Sequence, residues 1–470
     1  MMKKTLAQTI IYDDKEAVLA YLAEQPSLLN DYDEYGYTPL IESAIANKME
    51  IALALLEVGA DVTGTDLTGR TALHWAVDNN NIPFARALLE HGADPNAYAT
   101  GGLSILVMPT LRQQQPIKEL LFQYGASLSF AQDFIYAKLL GHRFELQGSI
   151  DIYSPSDRFV EMEYEGFFLE FTMGLIRDSM ERFIYNFGAK QYRQQFEFLK
   201  HYSLALRTGS QLARYQHYLF DTNTVRHTLS QLLQFKPLLL PVGYEGHAIS
   251  FIYFGEYWLK CDRGEARKRH GSIVLYEIAH PERVNEEFLK HILYTPLNRH
   301  FIEEELELYL GLTPIAQLPI QGQVIGNCSW ANIEASLPAY LWLLAYLQEH
   351  TDLDTAGRGS LALFEFWREW DQDRALEECI ARFEHANAPR RLFIVTLLAD
   401  ILFQTCLKSE KLDIARAEKI LPVLLHPDYQ SVLISYIEVY VDGVGDERGK
   451  AFYHLLDVCG VDIKRLREKR

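Results

Sequence analysis

Gly69-Arg-Thr-Ala-Leu-His-Trp-Ala76, followed by Leu88-Leu-Glu-His-Gly-Ala-Asp94, decides how the first third of the chain is read. The first block recurs upstream as Gly36-Tyr-Thr-Pro-Leu40 and downstream as Gly102-Leu-Ser-Ile-Leu106. The second recurs as Leu55-Leu-Glu-Val-Gly-Ala-Asp61 and Leu121-Phe-Gln-Tyr-Gly-Ala-Ser127, so both marks repeat every 33 residues. Each mark has a physical reason. Thr38 and Thr71 can cap a helix whose first turn tolerates Pro39. Gly59, Gly92 and Gly125 stand where a second helix stops and the chain needs a left-handed residue.

A 33-residue period carrying T-P-L and L-L-x-x-G-A-D resembles the ankyrin repeat. Residues 1–35 lack the T-P-L mark but hold a predicted helix, Lys15 to Glu24, and read as a degenerate N-terminal cap. The third full repeat is irregular, with Ala99-Thr-Gly-Gly102 and Pro109, and Phe130 to Leu146 reads as a helix closing the stack. His74 occupies the repeat's own structural histidine position. Asn96 sits on a hairpin finger and resembles the asparagine that is hydroxylated in many ankyrin repeats, which implies the same modification here.

The chain has 470 residues, a net charge of −18 and 48% apolar residues, enough for several packed cores and too acidic for a broad nucleic-acid or anionic-membrane surface. The one notable basic run, Arg263 to Arg269, reads as a solvated hairpin end. Cys261, Cys328, Cys379, Cys406 and Cys459 are few and odd in number, which argues against a disulfide scaffold and for a reducing compartment. Met1 to Ile11 lacks the apolar stretch of a secretory signal. The runs Leu337 to Leu347 and Leu392 to Phe403 are shorter than the ~18 residues of a membrane span and read as buried helices.

Four regions are expected: an ankyrin stack with caps over 1–150, a helical connector over 151–237, a core over 238–350, and a helical region over 351–470. In the connector, Phe159 to Phe187 and Tyr192 to Tyr218 read as helical. In the core, Gly246-His-Ala-Ile-Ser-Phe-Ile-Tyr-Phe254 reads as a strand, Gly255-Glu256 as a turn and Tyr257-Trp-Leu-Lys-Cys-Asp262 as its partner. That register sets Asp262 opposite Ile249, two residues from His247, so imidazole and carboxylate become diagonal neighbours on one face. A third strand follows at Ser272 to Ile278, then a helix near Val284 to Leu293.

Gln321-Gly-Gln-Val-Ile-Gly-Asn-Cys-Ser-Trp-Ala-Asn332 breaks at Gly326-Asn327, and Cys328 opens a helical run through Leu347. A thiol at a helix start meets the positive end of the dipole, which favours the thiolate. A nearby histidine can take its proton, an aspartate can orient that ring, and an upstream glutamine can donate to an oxyanion.

The order His, Asp, Gln, Cys on these elements resembles the circularly permuted papain-like cysteine proteases, the adenovirus-protease and SUMO-protease families among them, over about Val242 to Leu347. The resemblance implies Cys328 as nucleophile, His247 as base, Asp262 as orienting carboxylate and Gln323 as oxyanion donor. Gln323 lies five residues before Cys328 and Gln321 seven, where the family spaces them by about six, so Gln321 stays an alternative. Ala248 follows His247 in place of the tryptophan common in SUMO proteases, so the substrate class does not carry over. Cys261 reads as packing, His270 and His280 as competing bases, and Asn327 and Trp330 as turn and pocket wall.

Beyond Thr351 the sequence reads as six helices: Ser360 to Trp370, Asp373 to His385, Arg391 to Lys408, Leu412 to Leu425, Tyr429 to Asp442 and Glu447 to Val458. Cys379, Cys406 and Cys459 fall on their apolar faces, and Lys464 to Arg470 reads as a frayed tail. The expected class is a multidomain α protein with a smaller α+β part: ankyrin solenoid, papain-like core and C-terminal helical bundle.

Ankyrin repeats joined to such a core, with Ala137-Lys-Leu-Leu-Gly-His-Arg-Phe-Glu145 between them, resemble the ankyrin-repeat effectors of Legionella. That resemblance implies a monomer secreted into a host cell, in the cytosol or nucleus, whose repeats bind a host protein. It calls for no metal or cofactor, no direct nucleic-acid contact and no membrane insertion. The implied chemistry is peptide or isopeptide hydrolysis or related acyl transfer; the alternative is an interaction module that uses the protease-like pocket only for binding.

Overall fold

The computed structural model describes residues 4–216, 226–264, 271–349 and 351–468. The chain is mostly helical and divides into two compact units, residues 1–137 with 149–163, and residues 138–148 with 164–470. No helix among the described residues is long and apolar enough to cross a membrane.

The first unit is a stack of helix pairs at the expected spacing: Pro39–Ile45 with Met49–Glu57, Ala72–Asp78 with Ile82–Glu90, and Val107–Leu111 with Gln115–Gln123. Thr38 caps its helix by accepting from the Ile41 N–H at 3.3 Å. His74 Nδ1 accepts the Thr71 N–H at 3.0 Å, and burial drives its imidazole down to about 3, so it is a neutral structural group. Gly59, Gly92 and Gly125 end their helices at φ of 94°, 91° and 90°, a region closed to most side chains. Two helices precede the first repeat, Lys15–Glu24 as expected and also Leu6–Tyr12, whose Thr5 and Gln8 cap each other. In the irregular repeat, Gly101 and Gly102 turn a short hairpin that pairs Tyr98–Ala99 with Leu103–Ser104. Asn96 ties its finger to the next repeat, donating to the Gly125 carbonyl at 3.0 Å and accepting the Ser127 N–H at 2.7 Å.

One expectation fails at the edge of this unit. Phe159–Glu163 is a strand, antiparallel to Ser149–Tyr153, and not the start of a helix. The pattern there has period two: Ile150, Ile152 and Met162 are buried while Ser149, Asp151, Glu161 and Glu163 face solvent.

The second unit is built on a five-stranded antiparallel meander: Leu238–Tyr244, His247–Phe254, Tyr257–Cys261, Ile273–Ile278 and Leu312–Leu318. Alternation along the strands feeds two cores. Leu239, Ile252, Leu259, Ile273 and Leu275 pack against the helices Leu169–Ile184, Phe196–Arg214, Cys328–Glu334, Ser336–Gln348 and the first half of Leu353–His385. Leu240, Val242, Ile249, Phe251, Trp258 and Val274 pack on the opposite face against the helices Arg226–Leu233 and Glu286–Tyr294. The helices of the expected connector therefore share a core with the sheet.

The C-terminal part is helical, with two differences. Ser360 to His385 is one piece of a continuous 33-residue helix, Leu353–His385. Asp371, where a break was expected, is buried and carries ion pairs to Arg143 and Arg374 at 2.7 Å each, so the helix runs through it. The tail is not frayed up to Glu468: Ile463–Glu468 is a helix whose Ile463 and Leu466, three apart, are buried. Cys379 and Cys406 are buried, whereas Cys459 is partly exposed.

Candidate active site

The turn that places His247 comes first. Glu245 and Gly246, both at positive φ (43° and 78°), form a two-residue hairpin in which Tyr244 faces His247. The Tyr244 ring meets the imidazole edge-on, with centroids 5.3 Å apart. The next hairpin has the register read from the sequence, Phe254 opposite Tyr257 through Ser250 opposite Cys261, so Asp262 arrives diagonally across from His247. His247 Nε2 donates to Asp262 Oδ1 at 3.0 Å, and the Gly264 N–H donates to the same oxygen at 2.9 Å. Gly264 has no room for a side chain: a Cβ would lie 2.9 Å from both Asp262 Oδ1 and His247 Cε1.

Cys328 is the first residue of its helix, half-buried. The turn before it is locked from several sides. Gly326 has φ of 80° and a Cβ there would strike the Glu165 side chain, while its carbonyl accepts the Gly166 N–H at 3.0 Å. Asn327 pairs with His142, its Oδ1 taking the Nδ1–H, and Ser329 Oγ accepts the Phe167 N–H at 3.2 Å. His142 stacks flat on Trp330, and burial drives its imidazole down to about 4, so this pair is neutral packing around the turn.

The Cys328 thiol lies 4.0 Å from the Gly246 carbonyl, at the turn that carries His247, and the two side chains bias each other's protonation. Because Nε2 is engaged by Asp262, the nitrogen left for the thiol is Nδ1. Burial lowers the His247 pKa, but the Asp262 and Cys328 hydrogen bonds and charges outweigh it and raise the group to about 9. Burial raises the Cys328 thiol, and the hydrogen bonds from His247 and the Ala248 and Ser329 N–H groups outweigh it, leaving the thiol below its ordinary value. Asp262 is likewise held below the usual carboxylate range against its burial, by His247 and the Gly264 N–H. Cys261 and Cys406 move the opposite way: burial pushes Cys261 up to about 12 and Cys406 to about 11.

The glutamines are placed less directly. Gln323 is held by its backbone, its N–H donating to the Arg263 carbonyl at 3.1 Å, and its side-chain oxygen is buried without a partner. Gln321 is exposed at its side chain and anchored by its carbonyl, which accepts from Arg263 Nε at 2.8 Å. His280 is exposed beside Glu282, and His270 lies outside the described residues. Among the described residues no group of three or more His, Cys, Asp and Glu side chains is placed to hold a metal.

Arg263 overturns its sequence reading. It is not solvated: it is 2% exposed, and its guanidinium pairs with Glu145 at 2.8 Å and Glu334 at 3.1 Å. Arg368 closes the cluster, reaching Glu145 at 2.8 Å and Glu334 at 3.6 Å. Residues 265–269, the rest of that run, lie outside the described residues. Asn332 was also overlooked. One helical turn after Cys328 and wholly buried, it donates to the Ala248 carbonyl at 2.6 Å and accepts the Arg263 N–H at 2.7 Å, while its own carbonyl takes the Ser250 hydroxyl at 2.7 Å. The signal was present: Asn332 is a polar residue in an apolar helical run, spaced i+4 from the cysteine and so on its face.

Known proteins resemble this chain at two scales. The family described as ankyrin repeats in three copies matches residues 6–99. Inversin from Gallus gallus and from Homo sapiens is 40% identical over 68 residues, 14% of this chain, and the match spans only 6% of either inversin. The solved structure of the Legionella effector AnkH is similar over 98% of both chains, at 42% identity and a TM-score of 0.84. Likeness of that extent in sequence and fold shows that the chain belongs to the family of the Legionella effector AnkH.

Proposed function

We propose that the chain is a bacterial effector secreted into a host cell, whose ankyrin repeats bind a host protein and whose Cys328, His247 and Asp262 cleave an acyl bond. The observation that carries the chemistry is geometric: Cys328 opens a helix with its Sγ 4.0 Å from the carbonyl of Gly246, and the next residue, His247, is held by Asp262 at 3.0 Å; the thiol is accordingly lowered and the imidazole raised to about 9. A lowered thiol beside a raised imidazole shifts the pair toward thiolate and imidazolium, the armed form of a cysteine nucleophile.

In this reading the Cys328 thiolate adds to the carbonyl carbon of a peptide or isopeptide bond. The oxyanion forms beside the Gln323 amide, with Gln321 as the alternative donor. The carbon–nitrogen bond then breaks, and the His247 imidazolium gives its proton to the departing amine, leaving a thioester. Water attacks that thioester, His247 takes the water's proton, and the carbon–sulfur bond breaks to release the carboxylic acid and restore the thiolate–imidazolium pair. Asp262 steadies the imidazolium throughout.

One observation favours the alternative, a pocket that binds without turnover. The Gln323 side-chain oxygen is buried without a partner, so no hydrogen bond turns its NH2 toward an oxyanion. Alkylation separates the two. With iodoacetamide at pH 7, Cys328 is expected to react at least ten-fold faster than Cys459, which is partly exposed and whose thiol is raised by burial and by Glu418. His247→Ala should erase that difference. Equal rates, or a Cys328 rate indifferent to His247, would leave the binding-only reading standing.

A further inference from the structure

The first two ankyrin repeats correspond at the 33-residue offset, so Asp33 matches Asp66, Tyr37 matches Arg70 and Glu42 matches Trp75. In the second repeat these positions satisfy one another. Asp66 Oδ1 accepts the Thr68 and Arg70 N–H groups at 2.8 and 3.0 Å, and its Oδ2 accepts the Trp75 indole N–H at 3.1 Å. The Arg70 guanidinium lies 4.8 Å over the Trp75 ring and pairs with Asp78 at 3.0 Å.

The first repeat keeps the acceptor and loses the donors. Asp33 Oδ1 makes the same turn, accepting the Tyr35 and Tyr37 N–H groups at 2.9 Å each. Its Oδ2 is buried with no partner. Where the indole would stand, the chain has Glu42, which is only 7% exposed and whose carboxylate, among the described residues, has no hydrogen-bond or ion-pair partner. Lys4, next to the cavity-lining Thr5, is engaged by Asp13 at 2.7 Å. Two acids thus face a common space without a donor, an arrangement that costs free energy unless something supplies one. Burial first, and then the charge of Asp33, push the Glu42 carboxyl up to about 7.

The space between them is a cavity of about 230 Å³, open at one side and lined by Glu42, Asp33 and Asp31 together with the rings of Tyr21, Tyr32 and Tyr37. Carboxylates at the base and aromatic faces on the walls suit a cation carried on an apolar stem. Two neighbouring orphan acceptors suit the forked guanidinium better than a single-point ammonium. We propose that this cavity is a receptor for an arginine side chain presented by a basic segment of a partner protein. The site is independent of the thiol and places specificity in the first repeat, at the position where the fold elsewhere satisfies itself with its own tryptophan.

The test titrates the full chain by calorimetry with an acetylated, amidated Gly-Arg-Gly-Arg-Gly peptide and its citrulline analogue, which keeps the shape and lacks the charge. The arginine peptide should bind at least ten-fold tighter than the citrulline one. Glu42→Gln and Asp33→Asn should each weaken it at least ten-fold. Glu57→Gln, which removes an exposed charge in the same unit, should leave it unchanged. Glu42→Trp, which rebuilds the second repeat's own solution, should abolish binding and raise the unfolding temperature. Asp33→Asn keeps the turn's Oδ1 acceptor and carries the test should Glu42→Gln compromise folding. Equal loss in Glu57→Gln would show only a diffuse negative field and overturn the proposal, as would equal affinity for citrulline.

Discussion

Asn332→Ala is the perturbation that most directly asks whether the candidate site is built as described. The Asn332 side chain is wholly buried and serves two backbone groups, the Ala248 carbonyl at 2.6 Å and the Arg263 N–H at 2.7 Å. Each is the immediate neighbour of a candidate catalytic residue, His247 on one strand and Asp262 just past the end of the next. Truncation to alanine strands both groups away from water. A buried polar group left unsatisfied costs roughly 1–3 kcal/mol, so the pair costs about 2–6 kcal/mol. That is a large fraction of the roughly 5–15 kcal/mol that holds a domain folded.

Two readouts follow from the same variant. Urea unfolding should show a stability loss of at least about 2 kcal/mol. In protein that remains folded, the Cys328 alkylation rate at pH 7 should fall at least ten-fold, and its pH midpoint should rise toward that of an ordinary thiol. The reason is geometric: without the amide clamp, His247 and Asp262 are no longer held in the register that keeps Nε2 at 3.0 Å from Oδ1. A stability loss below about 1 kcal/mol would refute the energetic argument. A full stability loss with unchanged rate and midpoint would refute the positional one, leaving Asn332 a packing residue.

Three further substitutions test the surroundings. Gly264→Val should slow Cys328 alkylation at neutral pH, because its Cβ would sit 2.9 Å from both Asp262 Oδ1 and His247 Cε1; a wild-type pH profile would contradict the crowding argument. Arg263→Met leaves Glu145 and Glu334 facing each other across Arg368 alone, and should cost about 3–5 kcal/mol at pH 7. The Glu334 carboxyl is already raised by burial, so this deficit should shrink at pH 4.5, where protonation removes the uncompensated charge; equal urea midpoints for variant and wild type at pH 7 would count against the cluster. His247→Gln addresses linkage. A histidine raised from 6.5 to about 9 contributes stability that is fully present below its unfolded value and lost as pH rises through about 9. The variant's deficit, up to about 3 kcal/mol, should therefore be largest near pH 6 and absent at pH 10.

What was legible in the sequence was local. The ankyrin period showed because Thr38, Thr71 and the glycines at 59, 92 and 125 each solve a helix-end problem within a few residues. The His247–Asp262 diagonal showed because a two-residue turn and strict alternation determine register without help from the rest of the chain. The groups that escaped notice act across long separations. Arg263 meets Glu145 across 118 residues and Asn332 across 69. Its sequence neighbours are basic and hydrophilic, so local reading assigned it to solvent. The Phe159–Glu163 strand was lost for a related reason: five alternating residues among aromatics also fit a helical spacing.

The burial of Arg263 gives a physical account of how Asp262 is kept in place at the end of a strand. The last residue of the Tyr257–Cys261 strand is Cys261, and chain ends of strands are where pairing weakens and residues drift. Three consecutive residues after it oppose that drift by different means. Asp262 is fastened forward by His247 and by the Gly264 N–H. Arg263 is fastened on its backbone by Asn332 and on its side chain by Glu145, Glu334 and the Gln321 carbonyl. Gly264 leaves empty the volume that the imidazole needs. A guanidinium is expensive to bury, and removing it from water is offset only when its donors meet paired acceptors, as they do here. The same arginine ties the Gln321–Gln323 segment to the carboxylate, through its Nε to the Gln321 carbonyl and through its own carbonyl to the Gln323 N–H. The residue next to the carboxylate therefore holds both candidate oxyanion donors, Gln321 through its side chain and Gln323 through its backbone, and a substitution at Arg263 should release Gln321 while leaving the Gln323 backbone bond in place.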